Sequence, residues 1–209
     1  MTRMIGTNLR IGEWVEVRSK EEIFATLDKK GCLDGMPFMP EMFGFCGRRF
    51  QVHKIAHKTC DTTNPIRSRR LERSVHLQTR CDGSAHGGCQ AECLLFWKEA
   101  WLRPVPAQES GAAAAQPIRI VRPPTDRAAA TDCAEADVTA ATRARDDTDA
   151  ADPTYACQAT LLPQYGVELN PYDPRQYLQD LRSGNVTFGK WLRGMIYITY
   201  NALINLGVG

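Results

Sequence analysis

The residues best equipped for chemistry are cysteines. Cys81 opens the run Cys81-Asp82-Gly83-Ser84-Ala85-His86-Gly87-Gly88-Cys89, which continues through Gln90, Ala91 and Glu92 to Cys93. Three glycines between the first two thiols allow the backbone to fold tightly around a small centre. Cys60 lies at the far end of the preceding predicted strand. A tetrahedral all-cysteine zinc site needs four thiolates at about 2.3 Å, usually from two chain segments. Cys60, Cys81, Cys89 and Cys93 are therefore the expected ligands, with Cys46 and His86 as substitutes. An iron–sulfur cluster uses the same thiolates, and spacing alone does not separate it from zinc. Two other readings compete. Free cysteines are common core residues, and a thiolate paired with His57 or His86 could act as a nucleophile. Against the nucleophile, no Asn, Asp or Glu is placed in sequence to orient either imidazole. Cys32 and Cys133 are expected to play no part. Cys157, in the segment after Tyr155, is in reach of the cluster but stays outside the expected set.

Compartment decides how such thiols are used. Met1 to Arg10 has no apolar core of a secretory signal, so the expectation is a cytoplasmic, reducing environment in which clustered thiols favour metal over disulfides. The formal charge of +2 is too small to argue for nucleic acid. Its distribution is uneven: residues 1–105 carry 17 Lys/Arg and 12 Asp/Glu, residues 106–153 carry 5 and 9, and residues 154–209 carry 4 and 3.

The elements that must position the cysteines are mostly strands. In Gly12–Arg18, Glu13, Val15 and Val17 alternate with Trp14, Glu16 and Arg18, a strand period. Ser19 and Glu22 form a capping box, and Ile23, Phe24 and Leu27 give the apolar stripe of a helix over 20–30 that stops at Gly31. Met36–Cys46, broken by Pro37, Pro40 and Gly44, predicts a loop with one helical turn after Pro40. Arg48–Lys58 reads as a strand, with Phe50 and Val52 on one face and His53 and Ile55 on the other. Arg73–Arg80 alternates Val75, Leu77 and Thr79 against Ser74, His76 and Gln78, and should pair with it as a hairpin. Phe96–Arg103 should be the last strand. The intervening Arg67, Arg69, Arg70 and Arg73 could contact phosphates, as an alternative to a solvated loop.

Residues 106–153, rich in Ala, Pro, Asp and Arg, hold few large apolar side chains and predict a disordered linker. Order should return in the tail, 154–209. Asp173-Pro174 with Gln176 starts one helix, with Tyr177, Leu178 and Leu181 as its buried side and Gly184 as its end. A second should run from Asn185 or Thr187 to about Leu206. On it Phe188, Trp191, Leu192, Met195, Ile196, Ala202, Leu203 and Leu206 recur at spacings of three and four, opposite Lys190, Arg193, Asn201 and Asn205. Burial in a helical bundle, an interfacial membrane helix over 186–206 and a truncated membrane span are the three readings of that face. The ending NLGVG lacks capping logic and suggests truncation.

GEWVEVRS, FQVHKIAHKTC, SVHLQTRC and FWKEAWLRPV together resemble a small SH3-like barrel, in strand order and length. GEWVEVRSKEEI with PFMPEM, HKTCD, RCDGSAHGGCQ and FWKEAWL is similar to a bacterial family that brings no established activity and no catalytic residues to carry over. That resemblance covers about half the chain and implies that longer members continue beyond it. The expected fold class is α+β. An SH3-like barrel with one short helix and a Cys-rich metal loop (1–105) is followed by a linker (106–153) and a helical tail (154–209). The expected function is a zinc-stabilised binding or scaffold module with a protein partner. An iron–sulfur or thiolate-dependent accessory enzyme and an RNA-binding module are the alternatives.

Overall fold

The structure is a computed structural model that describes residues 8–62, 64, 67–105, 133–144, 153–170 and 173–205. It divides into two compact units, Met1–Leu169 and Asn170–Gly209.

The first unit is mixed α and β. Its elements are β1 (Trp14–Val17), α1 (Lys20–Phe24), the short pair β2 (Cys32–Leu33) and β3 (Met36–Pro37), a 3-10 helix over Pro40–Phe45, β4 (Arg49–Ile55), β5 (Thr59–Cys60), β6 (Ser68–Arg70), β7 (Ser74–Arg80), a 3-10 turn over Gly83–His86, β8 (Leu94–Lys98), a 3-10 turn over Glu99–Trp101, β9 (Leu102–Pro104), α2 (Glu135–Thr142), α3 (Gln158–Tyr165) and β10 (Val167–Glu168). The main sheet is antiparallel in the order β8-β7-β4-β1-β9. Its edge strands, β8 and β9, are joined only by the turn Glu99–Trp101. A connection that short brings the two edges together, so the sheet curls strongly into a half-barrel. The expected single strand over Phe96–Arg103 is thus corrected to two strands with a corner between them, because the chain changes partner from β7 to β1 there.

The alternation read from sequence places Val15 and Val17 of β1, and Val75, Leu77 and Thr79 of β7, inside. In β4 both Val52 and Ile55 are buried, although three residues apart, because a register shift between Val52 and Lys54 turns the strand over. Trp97 and Trp101 fill the curl, each edge-on to Phe38 at ring distances of 6.2 and 5.2 Å. Their indole N–H groups donate to Thr79 and Thr26 hydroxyls.

Two expectations about helices change. The capping box of Ser19 and Glu22 forms as predicted, but α1 ends at Phe24 rather than near Lys30. Asp28 explains it: its carboxylate accepts from the Lys30 and Cys32 N–H groups at 2.8 and 3.0 Å, a local turn that competes with helix. Inside the segment expected as linker, Glu135–Thr142 forms α2, with Val138 fully buried. A methyl built on Gly31 would lie 2.9 Å from Val138 Cγ2, so that glycine makes room for the helix. Residues 106–132 and 145–152 of that segment lie outside the described residues.

The second unit holds α4 (Pro174–Arg182) and α5 (Phe188–Asn205). Asp173 caps α4 with its side chain accepting from Arg175 N–H, and Pro174 follows as predicted. Its buried residues are Gln176 and Asp180, however, while Leu178 is exposed. No helix among the described residues is long and apolar enough to cross a membrane.

Candidate metal centre

The loop after β7 is closed by Cys81 N–H donating to the Cys93 carbonyl at 2.9 Å. Inside it, Asp82 caps the turn Gly83–His86, accepting from the Ser84 N–H and hydroxyl. Gly83 has no alternative here: a Cβ on it would sit 1.9 Å from the Cys89 carbonyl oxygen. Gly87 and Gly88 then take φ of 65° and 78°, which reverses the chain toward Cys89.

A second segment lies across this loop. Thr142–Ala144 at the end of α2 bonds to 154–156, through Ala144 N–H to the Thr154 carbonyl and Ala156 N–H to the Thr142 carbonyl. Tyr155 N–H in turn donates to the Ala85 carbonyl at 2.8 Å. Next in the chain, the buried Gln158 side chain acts as a substitute strand on β8. Its oxygen accepts from Phe96 N–H at 2.8 Å, and its amide donates to the Pro37 and Phe96 carbonyls at 2.9 and 3.2 Å. Cys157 is held between these two anchorages.

As a result the ligand atoms of Cys81, His86 and Cys157 all lie within 4.8 Å of one another, and it is the one such His/Cys/Asp/Glu group among the described residues. Cys93 is tied to Cys81 by the backbone bond that closes the loop, and its thiol is close enough to the Cys81 and Cys157 thiols to be influenced by both. Burial pushes the Cys81 thiol up to about 11, with the neighbouring Cys157 and Cys93 thiols adding to it; burial, with the Cys157 and Cys89 thiols, also raises Cys93. His86 is fixed at both ends: Nδ1 lies 2.8 Å from the Tyr155 carbonyl and Nε2 lies 3.0 Å from Glu41 Oε1. The Glu41 carboxylate raises the His86 pKa. A carboxylate behind an imidazole is the usual outer partner of a metal-binding histidine.

Of the residues expected from sequence, the structure brings Cys81 and His86 together, and Cys93 lies beside Cys81 through the backbone bond between them. Cys89 is exposed on the same loop and close enough to raise the Cys93 pKa electrostatically. Cys60 is elsewhere in the topology. It is exposed on β5, opposite Ser68 of β6, and His57 nearby is buried. Cys46 ends the 3-10 helix Pro40–Phe45 and packs against the core, with burial pushing its thiol up to about 11. Cys157 and Glu41 complete the cluster without a local motif to reveal them. The only sequence signal for Cys157 was an eighth thiol in a segment carrying large side chains.

The four arginines have partners inside the molecule. Arg67 pairs with Glu168, Arg70 approaches Glu72 and Arg73 pairs with Glu99. Arg69, largely buried, pairs with the buried Asp61 and also donates to the Gly166 and Pro163 carbonyls.

A scan of protein-family models, a search of curated proteins and a search of solved structures found nothing that matches this chain.

Proposed function

We propose that the chain is a zinc-stabilised binding module: an SH3-like barrel in which Cys81, Cys93, Cys157 and His86 hold one structural zinc. The observation that carries this reading is the convergence of Cys81, His86 and Cys157 within 4.8 Å from two distant segments; Cys93, bonded through its backbone to Cys81, is the nearest candidate for a fourth ligand. Three thiols and an imidazole are a donor set suited to tetrahedral zinc. Loading the site displaces protons from the thiols and takes one imidazole nitrogen from its present acceptor. If Nδ1 binds, Glu41 keeps Nε2 and orients the ring.

The barrel reading rests on order. An antiparallel five-stranded sheet whose last strand follows a 3-10 turn and pairs with the first supports the SH3-like reading. A barrel of this size has a modest core, and a metal that ties the segment 142–158 to the loop 81–93 supplies stability that packing alone does not. The internal pairing of Arg67, Arg69, Arg70 and Arg73 adds no support to a phosphate-binding role. Elemental analysis of the purified chain tests the proposal. Zinc lost on changing Cys157 or Cys93 to Ser supports it, and zinc retained in both variants refutes it.

A further inference from the structure

Of the eight cysteines, Cys60 and Cys89 are the exposed ones, and their settings differ. Cys60 lies on β5 in the small sheet. Cys89 lies on the loop of the metal centre, where it and the buried Cys81 border one open depression of about 880 Å³. Arg80, Ser84, Gln90 and Glu92 also line it. A polar molecule of tripeptide size therefore has room to meet the Cys89 sulfur without entering the core.

The chain between Cys89 and Cys93 carries little structure of its own. Gly87 to Glu92 are exposed throughout, and Gln90 to Glu92 belong to no helix or strand. The stretch is tethered by Arg80, whose guanidinium donates to the Glu92 carbonyl at 2.6 Å. Glu92, next to Cys93, holds a φ of 43°, in the left-handed region that side chains rarely adopt. An exposed thiol thus stands three residues from the fourth ligand of the proposed centre, and it is close enough to act on that thiol electrostatically.

We propose that Cys89 is a redox trigger of the metal centre: it reacts with a small-molecule disulfide and then couples to Cys93, whose loss as a ligand frees the zinc. The proposal rests on the zinc reading above, with Cys93 as fourth ligand. Cys89 gives its proton to solvent, and its sulfur attacks one sulfur of the small disulfide. That S–S bond breaks and one thiolate leaves. The Cys93 sulfur then exchanges its bond to zinc for a bond to Cys89 and expels the second thiolate. Two electrons pass from the protein sulfurs to the small disulfide, which ends as two thiols after taking up protons from solvent. Zinc is bound by thiolates, so a Cys93 tied in a disulfide no longer holds it. Cys81, His86 and Cys157 are left with the metal, and they yield it to a competitor. Access selects the starting thiol: Cys81 is buried, and Cys93 and Cys157 are partly so.

The test uses the full-length chain, its zinc content measured first, then mixed with excess oxidised glutathione and a chromogenic zinc chelator. Wild type should release its zinc, with a Cys89–Cys93 disulfide found by tandem mass spectrometry of the tryptic peptide 81–98. Cys89→Ser should hold the same zinc at the start and release it about 10-fold more slowly or less. Cys60→Ser should behave as wild type. A zinc-free wild type overturns the centre and the trigger together. Zinc that wild type holds and keeps under oxidation, or that Cys89→Ser releases as fast, overturns the trigger alone. So does a Cys89→Ser variant purified without zinc, since Cys89 is then itself a ligand, or a disulfide that joins Cys89 to a thiol other than Cys93.

Discussion

Replacing Gln158 by Ala removes the side chain that joins Cys157 to the sheet. In the native chain its oxygen satisfies Phe96 N–H, and its amide serves the Pro37 and Phe96 carbonyls, all at a site only 2% exposed. A buried donor left without a partner costs about 1–3 kcal/mol, and the two carbonyls add a smaller loss each. Together with the cavity left by the side chain, Gln158→Ala should cost about 4 kcal/mol. Urea unfolding reads this directly. Because Cys157 is the preceding residue, a chelator competition should also show weaker zinc binding in the folded variant. Gln158→Glu separates hydrogen bonding from packing. An ionised carboxylate there has no proton to offer the two carbonyls, so its folded pKa rises above the usual value of about 4.3. A raised folded pKa gives stability that is present below the unfolded value and lost as pH rises through the folded one. Gln158→Glu should therefore lie closer to wild type at pH 5 than at pH 8. If Gln158→Ala unfolds within about 0.5 kcal/mol of wild type, the spread of ordinary surface changes, α3 is not anchored as described.

Three further outcomes follow from the geometry. Gly83→Ala drives a methyl against the Cys89 carbonyl; it should cost about 2 kcal/mol and lower zinc affinity, measured by unfolding and chelator competition. Arg69→Ala removes the cation paired with the buried Asp61 carboxylate and should cost about 3 kcal/mol; in urea unfolding, the double change with Asp61→Ala should cost less than the sum of the single changes. Burial lowers His76 from 6.5 to about 4, so unfolding takes up a proton between those values. Its contribution, on the order of 3 kcal/mol, is complete above the unfolded pKa and is lost as pH falls toward the folded one; unfolding from pH 8 to 4 should show a flatter fall in His76→Phe.

What the sequence revealed and what it hid divide along the range of the interactions. Ser19 with Glu22, Asp173 before Pro174 and the alternation of Val75, Leu77 and Thr79 are encoded within a few residues, and each appears in the structure. The break at Glu99–Trp101 depends on which strand lies beside each half of the segment, which local alternation does not carry. α2 presents an Ala- and Thr-rich surface with little apolar character, and it is fixed by Val138 meeting Gly31, a contact across the chain. The cluster shows the same division. Cys81 and Cys93 share one loop and could be chosen from spacing. Cys157 arrives through the backbone bond from Tyr155 to Ala85 and a buried glutamine of α3 bonded to β8, neither of which leaves a motif. Cys60 attracted attention through its place at a strand end, yet the strand that follows it pairs within the small sheet of β5, β6 and β10.

The most direct test is the zinc content of wild type, Cys157→Ser and Cys60→Ser, purified in parallel without added metal. The account predicts about one zinc per chain in wild type and in Cys60→Ser, with loss of metal and of stability in Cys157→Ser. A chain without zinc, or full zinc in Cys157→Ser with loss in Cys60→Ser, contradicts it.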